Sequence, residues 1–281
     1  MMKNDFFDAL MLSTHNEKHL QKIPDLDAEC IMLNLEDGVS IEQKPEALRL
    51  CGAYLEKYKN LNKMFVVRVN ALDDGGIEEI KYINSLKPDA IRVPKIKTSD
   101  DVNKALGLID EDIELHLSIE TAQAWKNLSD LRIDERVSTF YLGVLDLFAD
   151  LGLSHSIIDR SNPTMTYLLS HFLITCKSIG VKPVSFVYQD YKNTDEFSKW
   201  LELEKSMGFK AKGCISPKQS QMVQSIFGYD ELEVKKAKRI IKLFEANEAN
   251  GITGFSDEEF GFIDEPIYKG AKVILEKHQK R

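Results

Sequence analysis

CIMLNLEDGVSIEQKPEALRLCGAYLEKYKNLNKMFVVRVN, residues 30–70, is the stretch that decides the fold. An apolar run, CIMLNL (30–35), ends in two carboxylates and a glycine. A segment of helical spacing, SIEQKPEALRLCGAYLEKY, comes next, and then a second apolar run, KMFVVRVN (63–70). Runs that are apolar without alternation are strands covered on both faces, so this unit reads as strand–helix–strand in a parallel sheet.

The same rhythm extends in both directions. Further β-rich runs are ALMLS (9–13), AIRVPKI (90–96), IELHLSIE (113–120), STFYLGVL (138–145), KPVSFVY (182–188) and AKGCIS (211–216). Eight strands alternating with helices predict an α/β (β/α)₈ TIM barrel over residues 1–225. A doubly wound open sheet would show fewer strands, and no G-x-G-x-x-G follows any of these. Residues 226–281 have no strand left to cover. There, ELEVKKAKRIIKLFEANEANG (231–251) reads as an amphipathic helix stopped by Gly251. A loop or short hairpin, ITGFSDEEFGFIDEP, and a last helix, IYKGAKVILEKHQKR, complete a C-terminal extension. It is expected to act as a lid or to pack on a neighbouring subunit.

A chain of 281 residues can bury a sizeable core. Its net charge of −8 argues against nucleic-acid binding, which needs cations to displace counterions from phosphates. No apolar run approaches the roughly 20 residues of a membrane span. The segment MMKNDFFDALML shows no signal-peptide pattern, so a cytoplasmic protein is expected. Cys30, Cys51, Cys176 and Cys214 form no CxxC pair, which suits free thiols in a reducing compartment.

In a barrel, chemistry sits at the C-terminal ends of the strands. Several strands here end in groups that a closed core would not tolerate: Glu36 and Asp37, Arg68 and Asn70, Lys95, Glu120 and Thr121, and Asp146. All are expected to converge on one mouth. Glu120 and Asp146 are the pair assigned to a metal, because two carboxylates with room for waters and a chelating substrate suit Mg²⁺. Each alone also reads as a helix N-cap. A guanidinium inside FVVRVN is costly to bury unless it meets an anion, which makes Arg68 a substrate-binding candidate. His15 and His19 are spaced i, i+4 but have no third ligand nearby, and read as a surface pair. His116, between apolar neighbours, reads as a strand histidine with its bonds satisfied. KKAKR (235–239) reads as the solvated face of a helix.

With those residues placed, the chain resembles the citrate lyase beta-subunit family, within the wider group of HpcH/HpaI-type aldolases. LNLEDGV followed by Lys44 resembles that family's L-D-L-E-D-A/G-V…K; VRVN, IRVPKI and IETAQAW are similar to its R-V/I-N, l-P-K-v and I-E-T segments. YLGVLDLFADLG, GCISPKQ and GFIDEP resemble its later motifs in the same order. Departures are FFDALML and STH around the first strand, Leu145 before Asp146 where the family often has Glu, and Ser216 in place of a histidine.

The resemblance implies that Glu120 and Asp146 bind Mg²⁺, that Arg68 holds the substrate, and that Glu36 and Asp37 sit beside the metal's waters. It further implies that Asp264 acts as acid/base at a neighbouring subunit's site, as in the acyl-CoA lyase branch. NEKHLQKIP is similar to the citramalyl-CoA lyase branch, so Lys18 and Lys22 are expected on the CoA phosphates, with Ser216 beside the substrate. The implied activity is a Mg²⁺-dependent carbon–carbon lyase acting on citramalyl-, malyl- or citryl-CoA, in a homotrimer or hexamer of the chain. Two alternatives stay open: a CoA-independent pyruvate aldolase of class II type, and a citrate lyase beta-like subunit that works only with an acyl-carrier protein.

Overall fold

The computed structural model describes residues 6–228 and 231–279, except the side chains of residues 231 and 276–279. The chain divides into two compact units, one ending at Phe227 and the other starting at Gly228.

The larger unit runs β1 (Asp8–Ser13), α1 (Glu17–Leu20), β2 (Cys30–Asn34), α2 (Lys44–Tyr58), β3 (Met64–Arg68), α3 (Ile77–Asn84), β4 (Ala90–Val93), α4 (Ser99–Leu106) and β5 (Glu114–Ile119). It continues α5 (Ala122–Lys126), β6 (Val137–Leu142), α6 (Val144–Asp150), α7 (Pro163–Ser178), β7 (Lys182–Val184), α8 (Thr194–Met207), β8 (Lys212–Cys214) and α9 (Pro217–Phe227). All eight strands are parallel, in the order β7-β6-β5-β4-β3-β2-β1-β8. A parallel bridge between Ser185, just past β7, and Lys212 on β8 brings the two edges together. The expected eight-stranded TIM-barrel architecture is therefore present.

Period two sorts the side chains of each strand. Ala9, Cys30, Met32, Met64, Val66, Ala90, Tyr141 and Val184 form one cluster with Phe6 and Ala211. Ile31, Leu33, Phe65, Val67 and Ile91, one position out of phase, are also buried. Both faces of the strands are covered, which is why their sequences read as continuous apolar runs. The cluster fills the barrel, and the same inward face continues along the chain to Asn34, Arg68 and Arg92. Polar groups thus replace apolar ones only towards the C-terminal ends of the strands.

Apart from β1, the strands are shorter than the apolar runs that announced them. KMFVVRVN yields a strand only to Arg68, and AIRVPKI only to Val93. Pro94 has no N–H for the ladder, and Lys95 turns into the left-handed region at φ 54°. Asn70 sends its backbone N–H to Glu79 Oε2 at 2.7 Å instead of to a strand. The residues lost from the ladders are those that line the barrel mouth.

The C-terminal unit consists of α10 (Glu231–Glu248), an antiparallel hairpin of β9 (Gly254–Asp257) and β10 (Gly261–Asp264), and α11 (Glu265–Gln279). Helix α10 ends three residues earlier than the apolar spacing suggested, and Gly251 supplies the turn at φ 78°, its N–H donating to Glu248 O at 2.9 Å. The two helices meet through stacked Phe244 and Tyr268 rings 4.4 Å apart, and Ile263 is fully buried.

Candidate active site

The opening puzzle of an apolar strand ending in Glu36–Asp37–Gly38 is resolved at the barrel mouth. Asn34 donates its Nδ2 to Asp37 O at 2.7 Å, and Gly38 adopts φ 84°, so the chain turns sharply after the acids. That turn keeps Glu36 on the inward face, 5% exposed, while the Asp37 side chain is 62% exposed. Glu36 pairs with Arg68 Nη2, and Asp37 Oδ2 lies 3.3 Å from the same nitrogen. Burial pushes the Glu36 carboxyl up to about 7 despite the Arg68 charge, with Glu120 and Asp37 adding repulsion.

Arg68 also faces Glu120, whose Oε2 lies 4.0 Å from Nη2. Glu120 follows β5, is 2% exposed, and accepts the Lys95 backbone N–H on Oε1 at 2.8 Å. That N–H is aimed by the left-handed conformation of Lys95, a strained geometry of the kind that gathers at functional sites. On the other side Glu120 packs against Gly143: a Cβ there would stand 2.7 Å from Oε2. Glycine therefore lets the carboxylate lie against the backbone three residues before Asp146, which sits in the first turn of α6. Asp146 is exposed and, among the described residues, enters no hydrogen bond or contact ion pair. Of the two N-cap readings neither holds; Thr121 caps α5 instead, accepting from Ala124 N at 3.0 Å.

A cavity of about 570 Å³ opens here, with Met11, Asp37, Arg68, Arg92, Glu120 and Asp146 among its walls. Glu120 and Asp146 also line an adjoining cavity of about 450 Å³, together with Lys95 and Thr121. The Lys95 ammonium stands 3.6 Å from Glu36 Oε1. Partial burial opposes its charge, but Glu36, Asp37, Glu120 and Asp146 together hold its pKa above the ordinary value. One cation therefore senses all four carboxylates.

These groups fit a hard divalent ion. Glu36 Oε1 and Oε2 and Arg68 Nε are buried without an aligned hydrogen bond, and Asp146 is free on the cavity wall. Mg²⁺ takes one or two carboxylates and fills its remaining positions with waters and substrate oxygens. Among the described residues no group of three His, Cys, Asp or Glu side chains could hold a metal, which leaves a two-carboxylate site as the candidate. His15 bonds Ser13 and His19 bonds Asn16, and among the described residues they belong to no group of three candidate metal ligands. His116 is fully buried between Glu114 and Tyr141, both at 3.3 Å. The four cysteines are buried and unpaired.

Lys18, Lys22 and Ser216 do not line either cavity. Lys18 and Lys22 are exposed in the segment after β1. Ser216 accepts from Gln219 N at 3.2 Å at the start of α9, and its neighbour Ile215 reaches the cavity. Asp264 belongs to the C-terminal unit, where its Oδ1 accepts from Ile267 N at 3.2 Å at the head of α11. Three participants escaped the sequence reading. Arg92 sat inside an apolar run, Glu79 in an ordinary helix, and Gly143 in a loop motif. Glu79 receives both Asn70 nitrogens, at 2.7 and 2.6 Å, while Lys44 donates to Asn70 Oδ1 at 2.7 Å. Arg92 is the register partner of Arg68, a relation that exists only in the folded sheet.

The profile of the HpcH/HpaI aldolase/citrate lyase family matches residues 9–217. The chain belongs to that family. A (3S)-malyl-CoA thioesterase of Cereibacter sphaeroides is 30% identical over 88% of this chain and 85% of its own length. The mitochondrial citramalyl-CoA lyase of Rattus norvegicus is 24% identical, over 95% of this chain and 84% of its own. The citrate lyase beta subunit of Escherichia coli K12 is 26% identical over 89% and 85%. Among solved structures, protein CitE of Mycobacterium tuberculosis with magnesium, acetoacetate and coenzyme A superposes with a TM-score of 0.77, covering 98% of this chain and 99% of that one at 19% identity. A citrate lyase of Burkholderia xenovorans reaches 0.84 at 17% identity, with 99% and 94% covered. At such identities the structural likeness establishes the fold. The family match spans the barrel and ends before Asp264. Among the described residues no helix is long and apolar enough to cross a membrane.

Proposed function

We propose that this chain is a Mg²⁺-dependent carbon–carbon lyase that cleaves, or forms, a 3-hydroxy-acyl thioester of the citramalyl-, malyl- or citryl-CoA type. The observation that carries the reading is the convergence of Glu120, Asp146 and Arg68 on one cavity at the barrel mouth. Glu120 and Asp146 would hold Mg²⁺, which when bound polarises the substrate's hydroxyl and carboxylate oxygens.

The remaining work falls to this chain's own groups. Backbone N–H of Lys95 and the glycine at position 143 fix the Glu120 carboxylate. Arg68, held in place by Glu36 and Asp37, presents its guanidinium to the negative charge that develops on the thioester oxygen as the carbon–carbon bond breaks. With its carboxyl lifted to about 7, Glu36 carries a proton part of the time at neutral pH and can yield one within the cavity. Asp264 of a neighbouring copy returns a proton to the acetyl carbon, or removes it in condensation, in a homotrimer or hexamer. Lys18 and Lys22 meet the CoA phosphates, with Ser216 beside the acyl chain. The enzyme works in the cytoplasm on free CoA thioesters; a citrate lyase beta-like subunit that acts only with an acyl-carrier protein is the alternative.

The test is a coupled assay of purified protein with citramalyl-, malyl- and citryl-CoA, reading acetyl-CoA, oxo acid and free CoA separately. Glu120→Ala and Asp146→Ala are each expected to cut Mg²⁺-dependent cleavage by more than about a thousandfold while leaving the melting temperature near that of the parent. Full activity of either variant in EDTA would remove the metal assignment. Free CoA without a cleaved carbon bond would make the chain a thioesterase. Turnover of free hydroxy-oxo acids alone would favour the pyruvate aldolase.

A further inference from the structure

Arg92 has a role that the proposed lyase chemistry leaves unassigned. It lies on β4, in register with Arg68 on β3, is 7% exposed, and lines the same cavity. Its surroundings differ from those of Arg68. Where Arg68 is met by Glu36, Asp37 and Glu120, no carboxylate among the described residues forms a contact ion pair with Arg92. Its Nε donates to Ser118 Oγ at 2.9 Å, its Nη1 meets Met32 Sδ at 3.3 Å, and its guanidinium lies over the Tyr141 ring, 4.2 Å from the centroid. None of these neighbours neutralises it. Burial and the nearby Arg68 lower its pKa to about 10 against the attraction of Glu120, Tyr141 and Glu36, so it keeps its charge at neutral pH.

A buried cation that no carboxylate touches is costly, and a ligand anion in direct contact would offset that cost. Ser118 and Tyr141 hold the guanidinium flat and fixed, which suits a planar, bidentate partner. Ser118 is two positions before Glu120 on the inward face of β5, so Arg92 sits one layer deeper in the barrel than the candidate metal ligand. A CoA phosphate, bulky and heavily hydrated, belongs with the exposed lysines at the rim. A carboxylate at the far end of a small substrate fits the floor.

We propose that Arg92 is a specificity-determining residue that binds a second carboxylate, so that the oxo acid handled by this site is a dicarboxylate instead of a monocarboxylate. The inference rests on the lyase reading for the site's substrate class, and it selects the citryl-type thioester within that class. Arg68 and Arg92 then divide the work, one meeting charge at the reacting end and the other at the distal end.

The test is isothermal titration calorimetry with saturating Mg²⁺, comparing oxaloacetate with pyruvate on the full chain, Arg92→Gln and Arg92→Lys. The unaltered protein is expected to bind oxaloacetate at least about tenfold more tightly. Arg92→Gln should weaken oxaloacetate by about ten- to a hundredfold and pyruvate by less than about threefold. Arg92→Lys, which keeps the charge without the fork, should fall between. Equal affinities in the unaltered protein, or a preference that survives in a folded Arg92→Gln, would overturn the assignment of Arg92 and leave the lyase reading standing. Failure of the unaltered protein to bind either acid would overturn both. If Arg92→Gln does not fold, the parent's preference and the Arg92→Lys shift decide the matter.

Discussion

Replacing Gly143 by alanine probes the candidate metal site without touching a ligand. Gly143 has φ −93°, outside the left-handed region that favours glycine, so the backbone accepts an L-residue there. The obstacle is space: the new methyl would stand 2.6 Å from Glu120 Cβ and 2.7 Å from Glu120 Oε2. Ordinary contacts begin near 3.4 Å, so the carboxylate must retreat by about 0.7 Å. Ligand distances at a metal tolerate only about 0.2 Å. Glu120 would therefore leave its place, weakening Mg²⁺ binding by about ten- to a hundredfold, or about 1.4–2.8 kcal/mol. Overpacking adds a stability cost of about 1–3 kcal/mol, visible as a modest drop in melting temperature. The assay is Mg²⁺ titration by calorimetry, paired with the Mg²⁺ dependence of thioester cleavage. Parent-like Mg²⁺ affinity in a folded Gly143→Ala protein would refute the reasoning, because it would mean that the carboxylate packed on Gly143 does not carry the ion.

Further expectations concern single groups. Glu36 has its carboxyl raised from 4.5 to about 7, so between those values the folded state keeps a proton that the unfolded chain has released. Its contribution to stability is present below about pH 4.5 and is lost as pH rises through about 7, by at most on the order of 3 kcal/mol. Urea midpoints in EDTA should therefore fall less steeply between about pH 5 and about pH 8 for Glu36→Gln than for the parent; parallel profiles would contradict the shift. Asp264→Asn keeps an oxygen to cap α11 but removes the proton carrier. Cleavage should drop by about a hundredfold or more while Mg²⁺ binding and melting temperature hold. Lys18→Ala with Lys22→Ala should raise KM for the CoA ester by about fivefold per charge and leave oxo-acid binding as it was; an unchanged KM would remove both lysines from the CoA site.

The barrel was legible because of a local property. CIMLNL and KMFVVRVN lack alternation, which only strands buried on both faces show, and the helix between them declares itself by its spacing. The acids and Arg68 were legible for a related reason: a charge at the end of such a run has no structural duty inside a core. That logic misses Arg92, because a single charge inside an apolar run looks the same whether it faces a helix or a cavity. Only the register with Arg68 and the neighbouring Tyr141 ring show its direction.

The amino-acid order alone determined the strand count, the helices between the strands, and the gathering of charge at one end of the barrel, since each follows from short-range periodicity. Tertiary structure decided the rest. It turned Lys95 left-handed so that its N–H reaches Glu120, made Gly143 a necessity of packing, and set apart a guanidinium in contact with carboxylates, Arg68, from one without such a contact, Arg92. These outcomes depend on distances between residues remote in the chain, and such distances exist only once the sheet has closed.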